Sequence, residues 1–122
     1  MNYLDSGQIP KPEVLVNPRN QVDEGTKLTI ECRTEGTFAK LTWFKENQKM
    51  PESLITNKKP YFVKGTIIIE SILTIDDVKL LDVGIYICKS VSRFDSSKSA
   101  NATAIIKVRG KRMIIFIQKI IR

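Results

Sequence analysis

The 122-residue chain contains no histidine. That absence removes the commonest general base and the commonest metal ligand together. Histidine-dependent hydrolysis and most zinc sites are excluded, and no spacing of carboxylates or lysines offers another acid–base pair. Only two cysteines occur, Cys32 and Cys88, with no CxxC unit, so the chain alone cannot build a thiolate metal cluster. They form either one long-range disulfide or two buried thiols. A bond closing so long a loop contributes about 4 kcal/mol on the chain-entropy estimate. Long apolar runs are missing as well. Met113 to Ile117 is a five-residue run, whereas a spanning helix takes roughly 20 residues. Residues 1–10 hold no apolar signal-peptide core, and the chain is expected to be part of a longer protein.

Acidic residues are scarce at one end. The formal charge is +7, yet Lys111, Arg112, Lys119 and Arg122 supply four of the 20 basic residues with no acid among them. Residues 1–110 carry 16 bases against 13 acids, a mildly basic body. No recognition helix or aromatic–basic interleaving is present, so nucleic-acid binding is not expected. Membrane contact is confined to the basic, apolar tail.

What the sequence does hold is alternation. Leu28, Ile30 and Cys32 alternate with Thr29 and Glu31. Leu41 and Trp43 alternate with Thr42 and Phe44, and Tyr86 and Cys88 with Ile85, Ile87 and Lys89. A period of two means half-buried strands. Thr66 to Ile75 is a β-branched run that sends Leu73 and Ile75 inward, Asp76 to Leu81 breaks the alternation into a helical turn, and Ala100 to Val108 forms the last strand. Prolines 10, 12 and 18 restrict the first segment to an edge strand or arm. Glu46 to Pro60 is polar and aperiodic, a loop with one short edge strand. About seven strands and no long helix point to an all-β sandwich or barrel.

Cys32 is followed eleven residues later by Trp43, and Cys88 lies in a strand with Tyr86. Upstream stand Leu73, Ile75, Val78, Asp82 and Gly84 at fixed offsets. This set resembles the immunoglobulin superfamily over residues 12–109, leaving an N-terminal arm (1–11) and a tail (110–122). The resemblance implies a two-sheet Greek-key sandwich of seven to eight strands and a Cys32–Cys88 disulfide covered by Trp43. It implies a tyrosine corner from Tyr86 toward Asp82, a tight strand entry at Gly84, and an ion pair from Asp82 for which Lys64 is the candidate. The short span before Thr66 leaves no room for variable-domain edge strands, which points to the I-set or C2-like branch. Trp43-Phe-Lys, Tyr86-Ile-Cys-Lys and Ser99-Ala-Asn-Ala-Thr are similar to the immunoglobulin domain of the neuregulin growth factors.

These motif residues are structural, so function has to come from outward positions. Alternation places Phe44, Ile85 and Ile87 together as a protein-binding patch. Lys45, Lys89, Arg93, Lys98 and Lys107 are the candidate polyanion-binding residues, and the neuregulin resemblance implies heparan sulfate as the polyanion. Asn101-Ala-Thr103 is an N-glycosylation sequon. The expectation is an extracellular binding module of an adhesion, receptor or growth-factor protein, with no cofactor, metal or catalytic residue. The rival is an intracellular, cytoskeletal I-set link whose cysteines stay reduced.

Overall fold

The computed structural model describes residues 9–19, 21–36 and 39–110; the tail 111–122 and most of the N-terminal arm lie outside them. The alternating segments become strands β1 (Glu13–Asn17), β2 (Gln21–Asp23), β3 (Leu28–Glu35), β4 (Ala39–Lys45), β5 (Gln48–Lys49), β6 (Ile55–Asn57), β7 (Tyr61–Val63), β8 (Thr66–Ile75), β9 (Gly84–Ser92) and β10 (Ser99–Arg109). One sheet runs β1-β3-β8-β6, with β7 also on β8, and the other runs β2-β10-β9-β4-β5. Neighbours that are not consecutive in sequence mean that the chain crosses between the sheets, which makes the sandwich.

There are ten strands where about seven to eight are expected, and the excess has local causes. Pro18 cannot donate to a ladder; before it β1 pairs with β3, and after it β2 joins the other sheet, parallel to β10. Further on, Asn57 faces Ser71 and Tyr61 faces Ile68, so three residues, Lys58 to Pro60, oppose two. That bulge splits one edge strand into β6 and β7. The two-residue β5 forms because Glu46 and Asn47 both take positive φ, 49° and 69°, as a type I′ hairpin turn requires. A 3-10 turn at Leu80–Asp82 stands where the alternation breaks.

The core lies between the sheets. Leu28, Ile30, Cys32 and Leu73 face Leu41, Trp43, Tyr86, Cys88, Ala104 and Ile106, with Val22 and Val78 closing one end. Cys32 and Cys88 are bonded and span 56 residues. Trp43, opposite Cys88 on the neighbouring strand, crosses to the other sheet, where its indole Nε1 donates to Ser71 Oγ at 2.9 Å. Ser71 is the polar residue at an inward position of β8, fully buried, and that bond removes the cost of burying two polar groups.

At the entry to β9, Gly84 has φ of 150°. A Cβ there would lie 3.0 Å from both Lys45 Cε and Glu46 Oε1. Gly84→Ala therefore meets a backbone conformation that disfavours a side chain, and the ends of Lys45 and Glu46 must shift slightly to admit it. We expect a loss of about 1–3 kcal/mol in urea unfolding; wild-type stability in the variant would contradict this account of the turn.

Candidate functional site

Register decides which side chains share a face, because directly opposed residues in neighbouring strands point the same way. In the β2-β10-β9-β4-β5 sheet, Leu41, Trp43, Tyr86, Cys88, Ala102, Ala104 and Ile106 point inward. The alternate residues therefore line the outer surface. One row reads Lys49, Phe44, Ile87, Thr103, the next Ile85 and Ile105, and on the other side Thr42, Lys89, Asn101. Rows are about 7 Å apart along the strands and neighbours within a row about 4.8 Å.

Phe44, Ile85 and Ile87 thus share one patch. Phe44 and Ile87 are half-buried against each other, whereas Ile85 is 47% exposed. Ile105, opposite Ile85 and 66% exposed, extends the patch onto β10. Sequence reasoning missed it, although the alternation of Ala104 and Ile106 inward would have turned Ile105 outward.

The basic candidates divide. Lys89 lies on the outer face beside the patch, and Lys107 lies on the same face toward the end of β10. Arg93, whose Nε donates to the Ala39 carbonyl at 3.3 Å, and Lys98, in the β9–β10 turn, stand at the far end of the face. Lys45 does not flank the patch. It shares the inward parity of Trp43, its ammonium donates to the Leu81 carbonyl at 2.7 Å, and it sits 5.5 Å from the centre of the Tyr86 ring. Lys40 and Lys49, not singled out from sequence, are on the outer face instead. The face therefore carries Lys40, Lys49, Lys89, Lys107 and Arg109, and its one strand carboxylate, Asp23, is held by Arg109 at 2.7 Å.

The opposite outer face has the reverse sign. Glu13, Glu31, Glu35 and Glu70 surround Arg33 by register. Glu70, only 6% exposed, accepts from Tyr61 Oη at 2.8 Å and has Lys58 Nζ at 3.9 Å. The bond to Glu70 holds the Tyr61 phenol above its ordinary pKa. A modest net charge thus conceals a sandwich with one basic and one acidic face.

Asp82 makes no pair with Lys64. Lys64 is spent on the β7–β8 turn, with φ of 50° beside Gly65 at 82°, and the Asp82 carboxylate accepts from the Lys79 backbone N–H at 2.7 Å. The Asp82 carbonyl accepts from Tyr86 Oη at 2.6 Å, the tyrosine-corner contact. Burial, followed by the nearby Asp82 and Glu46 charges, pushes the Tyr86 phenol from 10.0 up to about 12. Since the folded pKa lies above the unfolded one, the stabilisation is intact below pH 10 and lost as pH rises through 12. Tyr86→Phe is expected to cost about 1 kcal/mol at neutral pH, and the gap from wild type should close in thermal melts between pH 10 and 12. A gap independent of pH would contradict it.

Comparison with known proteins agrees with this geometry. Residues 11–91 match the family model for an immunoglobulin domain. The membrane-bound isoform of pro-neuregulin-1 from Rattus norvegicus is 33% identical over 89 residues, covering 66% of this chain and 12% of its own length; the chain thus spans about an eighth of that relative. Among solved structures, domain C3 of an IgNAR antibody superposes with a TM-score of 0.58 at 14% identity, covering 82% of this chain and 99% of its own. The D1-D2 fragment of Rst superposes with a TM-score of 0.66 at 17% identity, over 84% of this chain and 50% of its own. With the bonded cysteines, the core tryptophan and the tyrosine corner in place, the chain belongs to the immunoglobulin domain family, whose members serve protein interaction.

Proposed function

We propose that this domain is an extracellular binding module whose working surface is the outer face of β4, β9 and β10. The observation that carries the proposal is the combination on one face of exposed apolar side chains and unopposed bases. Phe44, Ile85, Ile87 and Ile105 provide area for a protein partner. Lys40, Lys49 and Lys89 provide attraction for an acidic one or for heparan sulfate, which would serve as co-ligand. The acidic opposite face would repel the same ligand and so orient it. The cross-sheet disulfide supports an oxidising, extracellular compartment over the intracellular I-set link. The similarity to pro-neuregulin-1, whose matched isoform is membrane-bound by its name, supports a cell-surface setting.

A labelled, soluble form of the chain applied to cells provides the test. Ile87→Asp should weaken cell-surface binding by about tenfold or more, and Leu15→Asp, on the opposite face, should leave it nearly unchanged. Heparinase treatment should remove the salt-sensitive share, as should the double change Lys40→Glu with Lys89→Glu. Equal losses for Ile87→Asp and Leu15→Asp would rule out the assigned face.

A further inference from the structure

The sequon Asn101-Ala102-Thr103 falls inside this same face. Ala102 is buried, whereas Asn101 and Thr103 both point outward and are exposed. Asn101 stands opposite Lys89, and Thr103 stands opposite Ile87. Among the described residues neither side chain is engaged in a hydrogen bond. On its other edge β10 pairs with β2 only over Lys107 to Arg109, and residues 99–106 have no hydrogen-bonded strand on that side. Small neighbours, Ala100 and Ala102, add no bulk. A sugar attached at Asn101 thus has room to stand, and the room is above the row Thr42, Lys89, Asn101.

We infer that Asn101 carries an N-linked glycan that governs access to the binding face. This rests on the function proposed above and adds its regulation. The Asn101 amide nitrogen forms a bond to C1 of an oligosaccharide supplied on a lipid pyrophosphate. The bond from C1 to the pyrophosphate oxygen breaks, the lipid pyrophosphate leaves with the electron pair, and the amide nitrogen gives up one proton. An N-glycan is bulky and solvated, so it screens the end of the face that holds Lys40, Lys89 and Val91. The row of Ile85 and Ile105, two rows farther along the strands, lies farthest from the sugar. The glycosylated chain would then present mainly the apolar patch, and the unglycosylated chain the full basic face.

The chain is expressed in a secretory eukaryotic host as wild type, Asn101→Gln and Thr103→Ala. Each is labelled with an amine-acetylating reagent and read by peptide mass spectrometry. In wild type the Asn101 peptide should carry hexose and N-acetylhexosamine mass. Lys89 and Lys40 should then acetylate several-fold more slowly than in either variant, and Lys58 and Lys59 on the other sheet should be unchanged. Enzymatic glycan removal from folded wild type should restore the faster rate. An unmodified Asn101, or equal Lys89 rates with and without the glycan, overturns the inference. Retention on immobilised heparin, measured on the same samples, separates the two proposals. Shielding of Lys89 with no gain in retention for Asn101→Gln upholds the glycan's control of access and counts against the polyanion part of the function.

Discussion

The tie between the two sheets is the constraint on which everything else rests. Cys32 on β3 and Cys88 on β9 are bonded across the core, and Trp43, opposite Cys88, sends its indole N–H to Ser71 on β8. The covalent link between β3 and β9 and the buried hydrogen bond between β4 and β8 fix four strands in a common register. A slip of one residue in any of them would place a charged side chain in the core and break the Trp43–Ser71 contact. Once those inward positions are fixed, the outward ones are fixed too. The face proposed to bind is therefore a consequence of the core, drawn from the alternate residues of the same strands.

The separation of inward from outward positions changes what the charge means. Counted along the chain, the described body is only mildly basic and resembles an ordinary mixed surface. Sorted by sheet, its bases and acids separate. Lys40, Lys49, Lys89 and Lys107 share a face with Phe44, Ile87 and Ile105, whereas Glu13, Glu31, Glu35 and Glu70 ring Arg33 on the other. A shallow recess between β1 and β3, lined by Glu13, Leu15, Glu31 and Arg33, lies on the acidic side. Within a Debye length of about 8 Å at physiological salt, a ligand meets the charge of one face and little of the other.

Much of this was legible in the sequence, and the failures have physical causes. The cysteine, tryptophan and tyrosine spacing specified the sandwich, and simple alternation placed Phe44, Ile85 and Ile87 on one surface. Lys45, a candidate of the polyanion-binding set, has the parity of Trp43 and not of Phe44, and its ammonium turns to the Leu81 carbonyl. The pairing of Asp82 with Lys64 failed because a local donor, the Lys79 N–H, was closer along the chain. Ile105 and Lys40 follow from plain alternation, with Ala104 and Ile106 on β10 and with Phe44 on β4. Lys49 reaches the face through the tight β4–β5 hairpin, whose positive-φ turn at Glu46 and Asn47 contains no glycine to announce it. The bulge at Lys58–Pro60 and the inter-sheet role of Ser71 depend on tertiary register, which no single segment encodes.

In the proposed function one face of the sandwich, and not its net charge, determines binding. Backbone amide chemical shifts of the isotope-labelled, unglycosylated chain, titrated with a heparin-derived oligosaccharide, test that claim most directly. Saturable shifts at Lys40, Lys49, Ile87 and Lys89, with Glu13, Arg33 and Glu70 unmoved, are the expected result. Shifts spread evenly over both sheets, or centred on β1 and β3, would contradict it.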